Sequence, residues 1–117
     1  MEAPVILVVD DEPSIRTLVE DCLMAEGYQV ETATNGAEAL RAVERNRPAL
    51  VLLDMRMPVL DGWGFAQQVK ERGLDLPIVV MTAAQDARRW AEEIGANGYL
   101  AKPFDLDDLL AAVEQTT

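Results

Sequence analysis

Three stretches of the chain are apolar without alternation: Val5-Ile6-Leu7-Val8-Val9, Ala49-Leu50-Val51-Leu52-Leu53 and Ile78-Val79-Val80-Met81. Unbroken runs of this length suit strands buried on both faces. Leucine alone would also allow a short buried helix in the second stretch, but Pro48 before it and Pro58 after it leave too little room. Each run then stops at polar residues: Asp10-Asp11, Asp54 and Thr82.

Between these runs the apolar period changes. Pro13 suits a helix first turn, and Ile15, Leu18, Val19, Cys22 and Leu23 recur on one helix face closed by Gly27. Tyr28 to Ala33 alternates, as a strand with one wetter side should. Asn35-Gly36 opens a helix carrying Ala39, Leu40 and Val43 inward and ending before Pro48. Beyond a loop from Met55 to Asp61, a helix with Phe65 and Val69 inside runs to Gly73. Gln85 to Ile94 reads as a helix stopped by Gly95, and Gly98-Tyr99-Leu100-Ala101 as a short strand ending at Lys102-Pro103. Asp105 is placed to cap a last helix that buries Leu106, Leu109, Leu110 and Val113.

Five strands alternating with five helices predict an α/β fold, a parallel sheet covered on both faces. The wholly apolar first, third and fourth strands belong in the middle. The alternating second and the short fifth belong at the edges. Right-handed crossovers then favour the order 2-1-3-4-5, a single doubly wound (βα)5 domain of flavodoxin-like topology over residues 1–117.

A length of 117 residues is one domain with room for a core. Met1-Glu2-Ala3-Pro4 lacks the basic start of a signal peptide, and no apolar run nears the roughly 20 residues of a membrane span. Cys22 alone forms no internal disulfide and falls on a helix core face. A cytoplasmic protein is expected. The net charge of −11 argues against this domain gripping nucleic acid or an anionic membrane. With no histidine, it has no histidine base, no histidine metal ligand and no phosphohistidine of its own.

A parallel sheet brings its strands' carboxyl ends to one edge, so Asp10, Asp11, Asp54, Thr82 and Lys102 should converge at the switch point between the first and third strands. Singly, each has an ordinary reading: a helix cap, a strand end, a solvated lysine. Together they make a pocket. Three carboxylates and one ammonium leave a net −2 there, which calls for a cation or a proton. Oxygen-only ligands point to a hard ion, Mg²⁺ first and Mn²⁺ as substitute. A carboxylate is also a nucleophile for phosphoryl groups, whose transfer needs chiefly positioning and charge stabilisation.

These residues resemble the receiver domain of two-component response regulators, in a chemotaxis-regulator-like form. The resemblance rests on Asp10-Asp11, Asp54 with Met57-Pro58 and Asp61-Gly62, Thr82-Ala83, and Lys102-Pro103-Phe104, and covers essentially the whole chain. It implies a phosphoacceptor in a phosphorelay rather than an enzyme, with self-catalysed transfer and slow autodephosphorylation only. Asp54 would take the phosphoryl group from a phosphohistidine on a histidine kinase or phosphotransfer protein. By the same resemblance, Asp11, Asp54 and the Arg56 backbone carbonyl hold Mg²⁺, and Asp10 does so through water. Lys102 and Thr82, with the backbone N–H groups of Arg56 and Ala83, contact the phosphoryl oxygens. The bond before Pro103 would be cis.

The resemblance further implies a switch in which Thr82 moves toward the phosphoryl group and Tyr99 turns inward. Output would then occur on the surface of the fourth helix, fifth strand and fifth helix, through a protein target, a fused output domain or a phosphorylation-linked dimer. Trp90 in that helix either packs inward or, exposed, anchors a partner. Arg56 and Ala84 occupy positions that tune phosphoryl lifetime in such domains, and Arg56 is expected to influence water access to the phosphoryl group. Because the chain stops soon after the fifth helix, it is expected to be either a stand-alone regulator or a receiver cut from a longer protein.

The main alternative is a receiver-like scaffold or dimerisation module working without phosphorylation, whose mark would be a missing acid, threonine or lysine. None is missing. An aspartyl phosphatase would want an acid where Arg56 stands, and a flavin carrier would not tolerate Asp-Asp-Glu-Pro in its phosphate loop.

Overall fold

The computed structural model describes residues 4–117; the reading of Met1 to Ala3 as lacking a signal peptide lies outside the described residues. The elements are β1 (Val5–Val9), α1 (Pro13–Ala25), β2 (Gln29–Ala33), α2 (Gly36–Arg45), β3 (Leu50–Asp54), α3 (Gly62–Glu71), β4 (Ile78–Ala83), α4 (Ala84–Ile94), β5 (Gly98–Lys102) and α5 (Leu106–Thr116). All strand pairs are parallel, in the order β2-β1-β3-β4-β5. This is the predicted architecture, with β3 at the centre and every residue of it buried.

The unbroken apolar runs are explained by the pleat. Leu7, Val9, Val51, Leu53 and Val80 face one side and pack with Leu40, Val43, Phe65, Val69 and Trp90 from α2, α3 and α4. Ile6, Val8, Leu50, Leu52 and Met81 face the other, against Val19 and Leu23 of α1 and Leu109 and Val113 of α5. Successive side chains along a strand point to opposite faces, so a strand covered twice must be apolar at every position.

Local chemistry sets the helix ends. The Asn35 side chain accepts the Glu38 N–H at 2.9 Å while the Glu38 carboxylate accepts the Thr34 N–H at 3.0 Å, a reciprocal cap for α2. Asp61 caps α3 and Asp105 caps α5 by accepting the N–H groups of Gly64 and Asp108. Gly95, at φ +68°, ends α4 in the left-handed conformation.

Several expectations shift. β4 runs through Thr82 to Ala83 and α4 begins at Ala84, so Thr82 is a ladder residue paired with Ala101. Leu18 is 53% exposed and Leu106 48% exposed, not buried. Both lie on the margins of their helices' apolar stripes, where they line a shallow recess between α1 and α5 rather than meeting the sheet. Trp90 is buried, so in this structure it packs inward and presents no exposed anchor. No helix among the described residues is long and apolar enough to cross a membrane.

Candidate functional site

At the carboxyl edge of the sheet, β1 delivers Asp10 and Asp11, β3 delivers Asp54, β4 delivers Thr82 and β5 delivers Lys102. Asp10, Asp11 and Asp54 each offer a carboxylate oxygen, all within 4.8 Å of one another. The Lys102 ammonium donates to Asp10 Oδ2 at 2.8 Å and stands 3.8 Å from Asp54 Oδ1. Asp10 and Asp54 are buried while Asp11 is exposed, so the cluster opens to solvent on the Asp11 side. The Lys102–Pro103 bond is cis.

Asp10 is the fastening point of the cluster. Its Oδ1 accepts the Glu12 N–H at 3.0 Å, just ahead of α1, which starts at Pro13 with no side-chain cap. Its backbone carbonyl accepts from the Arg16 guanidinium at 2.7 Å. Burial of so many charges is legible in their proton affinities. Asp54 is pushed up to about 7, first by burial and then by the negative charge of Asp10, against the pull of Lys102. Lys102 loses some affinity to burial, but its hydrogen bond to Asp10 and the charges of Asp54, Asp10 and Glu12 outweigh this and hold it above its ordinary value.

The loop after Asp54 is held closely behind the cluster. The Gly62 N–H donates to the Met55 carbonyl at 2.9 Å, and a Cβ on Gly62 would sit 2.8 Å from Met55 Cα and 3.0 Å from the Asp54 carbonyl oxygen. The Gly36 N–H donates to the Leu60 carbonyl at 2.8 Å, tying the loop to α2. Between these anchors Val59 adopts φ +71° and the Leu60 N–H donates to the Pro58 carbonyl at 2.8 Å, a γ-turn in an orientation unfavourable for a β-branched residue.

A family model described as response regulator receiver domain matches residues 6–114. The chain belongs to the response regulator receiver domain family. It is 45% identical over 108 residues to the response regulator MprA of Mycobacterium sp. (strain KMS), covering 91% of this chain and 47% of MprA. It is 42% identical over 117 residues to the DNA-binding transcriptional regulator NtrC of Escherichia coli (strain K12), covering 98% of this chain and 25% of NtrC. The chain thus spans half or less of the length of these curated relatives. Among solved structures, the chemotaxis response regulator CheY4 of Vibrio cholerae superposes with a TM-score of 0.89 at 33% identity, each chain fully covered.

Within this receiver, the expected residues divide. Asp10, Asp11, Asp54 and Lys102 come together, and Thr82 lies buried one position beyond Met81, the β4 partner of Asp54. Tyr99 does not join them. It pairs with Val80, is 49% exposed and lines a groove with Ala112 and Gln115 of α5. The Arg56 side chain also lies apart, over the ring of Trp90. Two contacts had no place in the sequence reading: the Arg16 clamp on Asp10 and the stack of Arg56, Trp90 and Trp63. Arg16, one helical turn past Pro13 as the first cation after three acids, was a readable signal for the clamp. The stack joins residues from a loop and two helices, and nothing local announces it.

Oxygen donors of this number and spacing, with a net negative charge and an open side, fit a hard divalent cation such as Mg²⁺. Receiver domains in general bind Mg²⁺ at such an acidic cluster.

Proposed function

We propose that Asp54 is the phosphoacceptor of a two-component phosphorelay. The observation that carries this reading is the single buried carboxylate ending the central strand, 3.8 Å from a lysine ammonium and within 4.8 Å of two further acids. Transfer from a phosphohistidine on a partner kinase or phosphotransfer protein breaks the P–N bond and forms a P–O bond to an Asp54 carboxylate oxygen. The imidazole nitrogen keeps the electron pair of the broken bond and takes a proton. No side chain needs to act as base, because the attacking carboxylate is already an anion when Lys102 and the added cation favour that form.

Asp11, Asp54 and the Arg56 carbonyl are the proposed direct ligands of Mg²⁺, with Asp10 holding it through water and Mn²⁺ able to substitute. When bound, the ion supplies positive charge against the phosphoryl oxygens. Lys102 turns from Asp10 to those oxygens, and the Thr82 hydroxyl with the N–H groups of Arg56 and Ala83 completes their shell. Thr82 then draws toward the phosphoryl group and Tyr99 moves from its exposed position inward. This changes the α4–β5–α5 face offered to a protein target, an output domain or a second copy. The reading is of a cytoplasmic signalling domain, with slow autodephosphorylation as its only further chemistry.

Incubation with acetyl phosphate and Mg²⁺, followed by intact mass, tests the assignment. A phosphoryl increment that needs the metal and is lost in Asp54→Asn is expected. An increment that persists in Asp54→Asn would move the acceptor elsewhere, and none under any condition would favour a phosphorylation-independent scaffold.

A further inference from the structure

Arg56 stands two residues beyond Asp54, yet its side chain turns away from the acids. Its guanidinium carbon lies over the Trp90 ring, 5.0 Å from the centroid. Among the described residues it forms no ion pair. Trp90 is buried in α4 and meets Trp63 of α3 edge-on, with ring centroids 4.8 Å apart and planes at 68°. Arg89 also approaches Trp90, at 5.9 Å, but Asp86 holds its guanidinium at 2.7 Å. Arg56 is the cation nearest in sequence to Asp54, yet its side chain rests on an aromatic face and not among the acids.

That hold is weak. A guanidinium on an indole gains less than a guanidinium making paired, charge-assisted hydrogen bonds to phosphoryl oxygens. Two residues of backbone separate the Cα atoms of Asp54 and Arg56 by no more than about 7 Å, within reach of so long a side chain. We propose that Arg56 is a further phosphoryl-binding side chain of this site, parked on Trp90 until Asp54 is phosphorylated, and that its transfer uncovers Trp90 on α4. The inference rests on the reading of Asp54 as phosphoacceptor.

Two consequences follow from the geometry. A second route runs from the site to α4, through Arg56 and Trp90, independent of Thr82 and Tyr99. By linkage, a partner that recognises α4 with Trp90 uncovered also favours the phosphorylated state.

Trp63→Phe leaves Trp90 as the sole indole, since the chain holds two tryptophans; Trp63→Tyr serves if the first variant does not fold. Emission and acrylamide quenching of Trp90 are followed as acetyl phosphate and Mg²⁺ are added, with phosphoryl content read by intact mass on the same samples. Quenching is expected to rise and emission to shift to the red in step with phosphoryl content. In an added Arg56→Met change, Trp90 is expected to start in the more quenchable state and stay there at matched phosphoryl content, while Arg56→Lys follows the parent. A parent-like response in Arg56→Met, or no response in the parent despite phosphoryl uptake, overturns the transfer. Absence of phosphoryl uptake overturns the Asp54 reading and this inference with it.

Discussion

Lys102 is committed to Asp10, at 2.8 Å, and stands a full ångström farther from Asp54, at 3.8 Å. The lysine thus neutralises the acid that has no exposure at all, and leaves the central-strand carboxylate short of a partner. Burial and the charge of Asp10 then raise Asp54 to about 7. A buried acid in want of a cation is the electrostatic condition that the proposed binding of a metal, and then of a phosphoryl group, would relieve.

The first prediction concerns pH. In the unfolded chain Asp54 titrates near 3.8, and in the fold near 7. The folded state therefore prefers the protonated form. Its favourable contribution is fully present below pH 3.8 and is lost as pH rises to about 7. Without metal, Asp54→Asn should stabilise the domain by a few kcal/mol at pH 8. The gain should shrink steadily toward pH 4. Urea midpoints of the two proteins in chelator, across that range, check it.

Mg²⁺ should reverse the same deficit. Binding to the native state alone stabilises by about 2.7 kcal/mol when free metal reaches a hundredfold over its dissociation constant. Thermal midpoints should rise with Mg²⁺ in the parent and respond far less in Asp11→Asn or Asp54→Asn. An equal rise in all three would place the metal elsewhere.

Gly62→Ala should be damaging despite its size. The added Cβ meets Met55 Cα at 2.8 Å and the Asp54 carbonyl at 3.0 Å, both backbone atoms where the chain leaves β3 at the proposed acceptor. A loss of about 1–3 kcal/mol in stability is expected, together with slower phosphoryl uptake from acetyl phosphate. Denaturation and single-turnover labelling separate the two effects.

Val59→Gly should stabilise. The γ-turn holds a β-branched residue at φ +71°, and the residue is 82% exposed, so its side chain packs little. Strain of about 1–3 kcal/mol outweighs the roughly 0.4–1 kcal/mol that glycine adds in unfolded-chain freedom. A net gain of about 1 kcal/mol in urea denaturation is expected, and a net loss would show that the side chain packs.

Much of this was legible because it is local. Three wholly apolar runs showed strands covered on both faces, and their ends at Asp10-Asp11, Asp54 and Thr82 showed which residues share an edge. Asn35, Asp61 and Asp105 all have the chemistry of caps and all act as caps. The sequence pattern marks Asp105 as a cap and Asn35-Gly36 as a helix start, while Asp61 stands out only once the helix after it is placed. Periodicity puts Leu18 and Leu106 inside, yet both are exposed, because it shows which way a residue leans and not how far the neighbouring element extends to cover it.

By itself the sequence determined the strand order, the family and the four charged groups that meet at the rim, since alternation, turn residues and handedness leave few other arrangements. Only the tertiary structure decided that Lys102 favours Asp10 over Asp54, that Tyr99 faces solvent, and that Arg56 lies on Trp90 beside Trp63. Those choices turn on ångströms between segments distant in the chain. They follow from how helices seat on a twisted sheet, which no local pattern encodes.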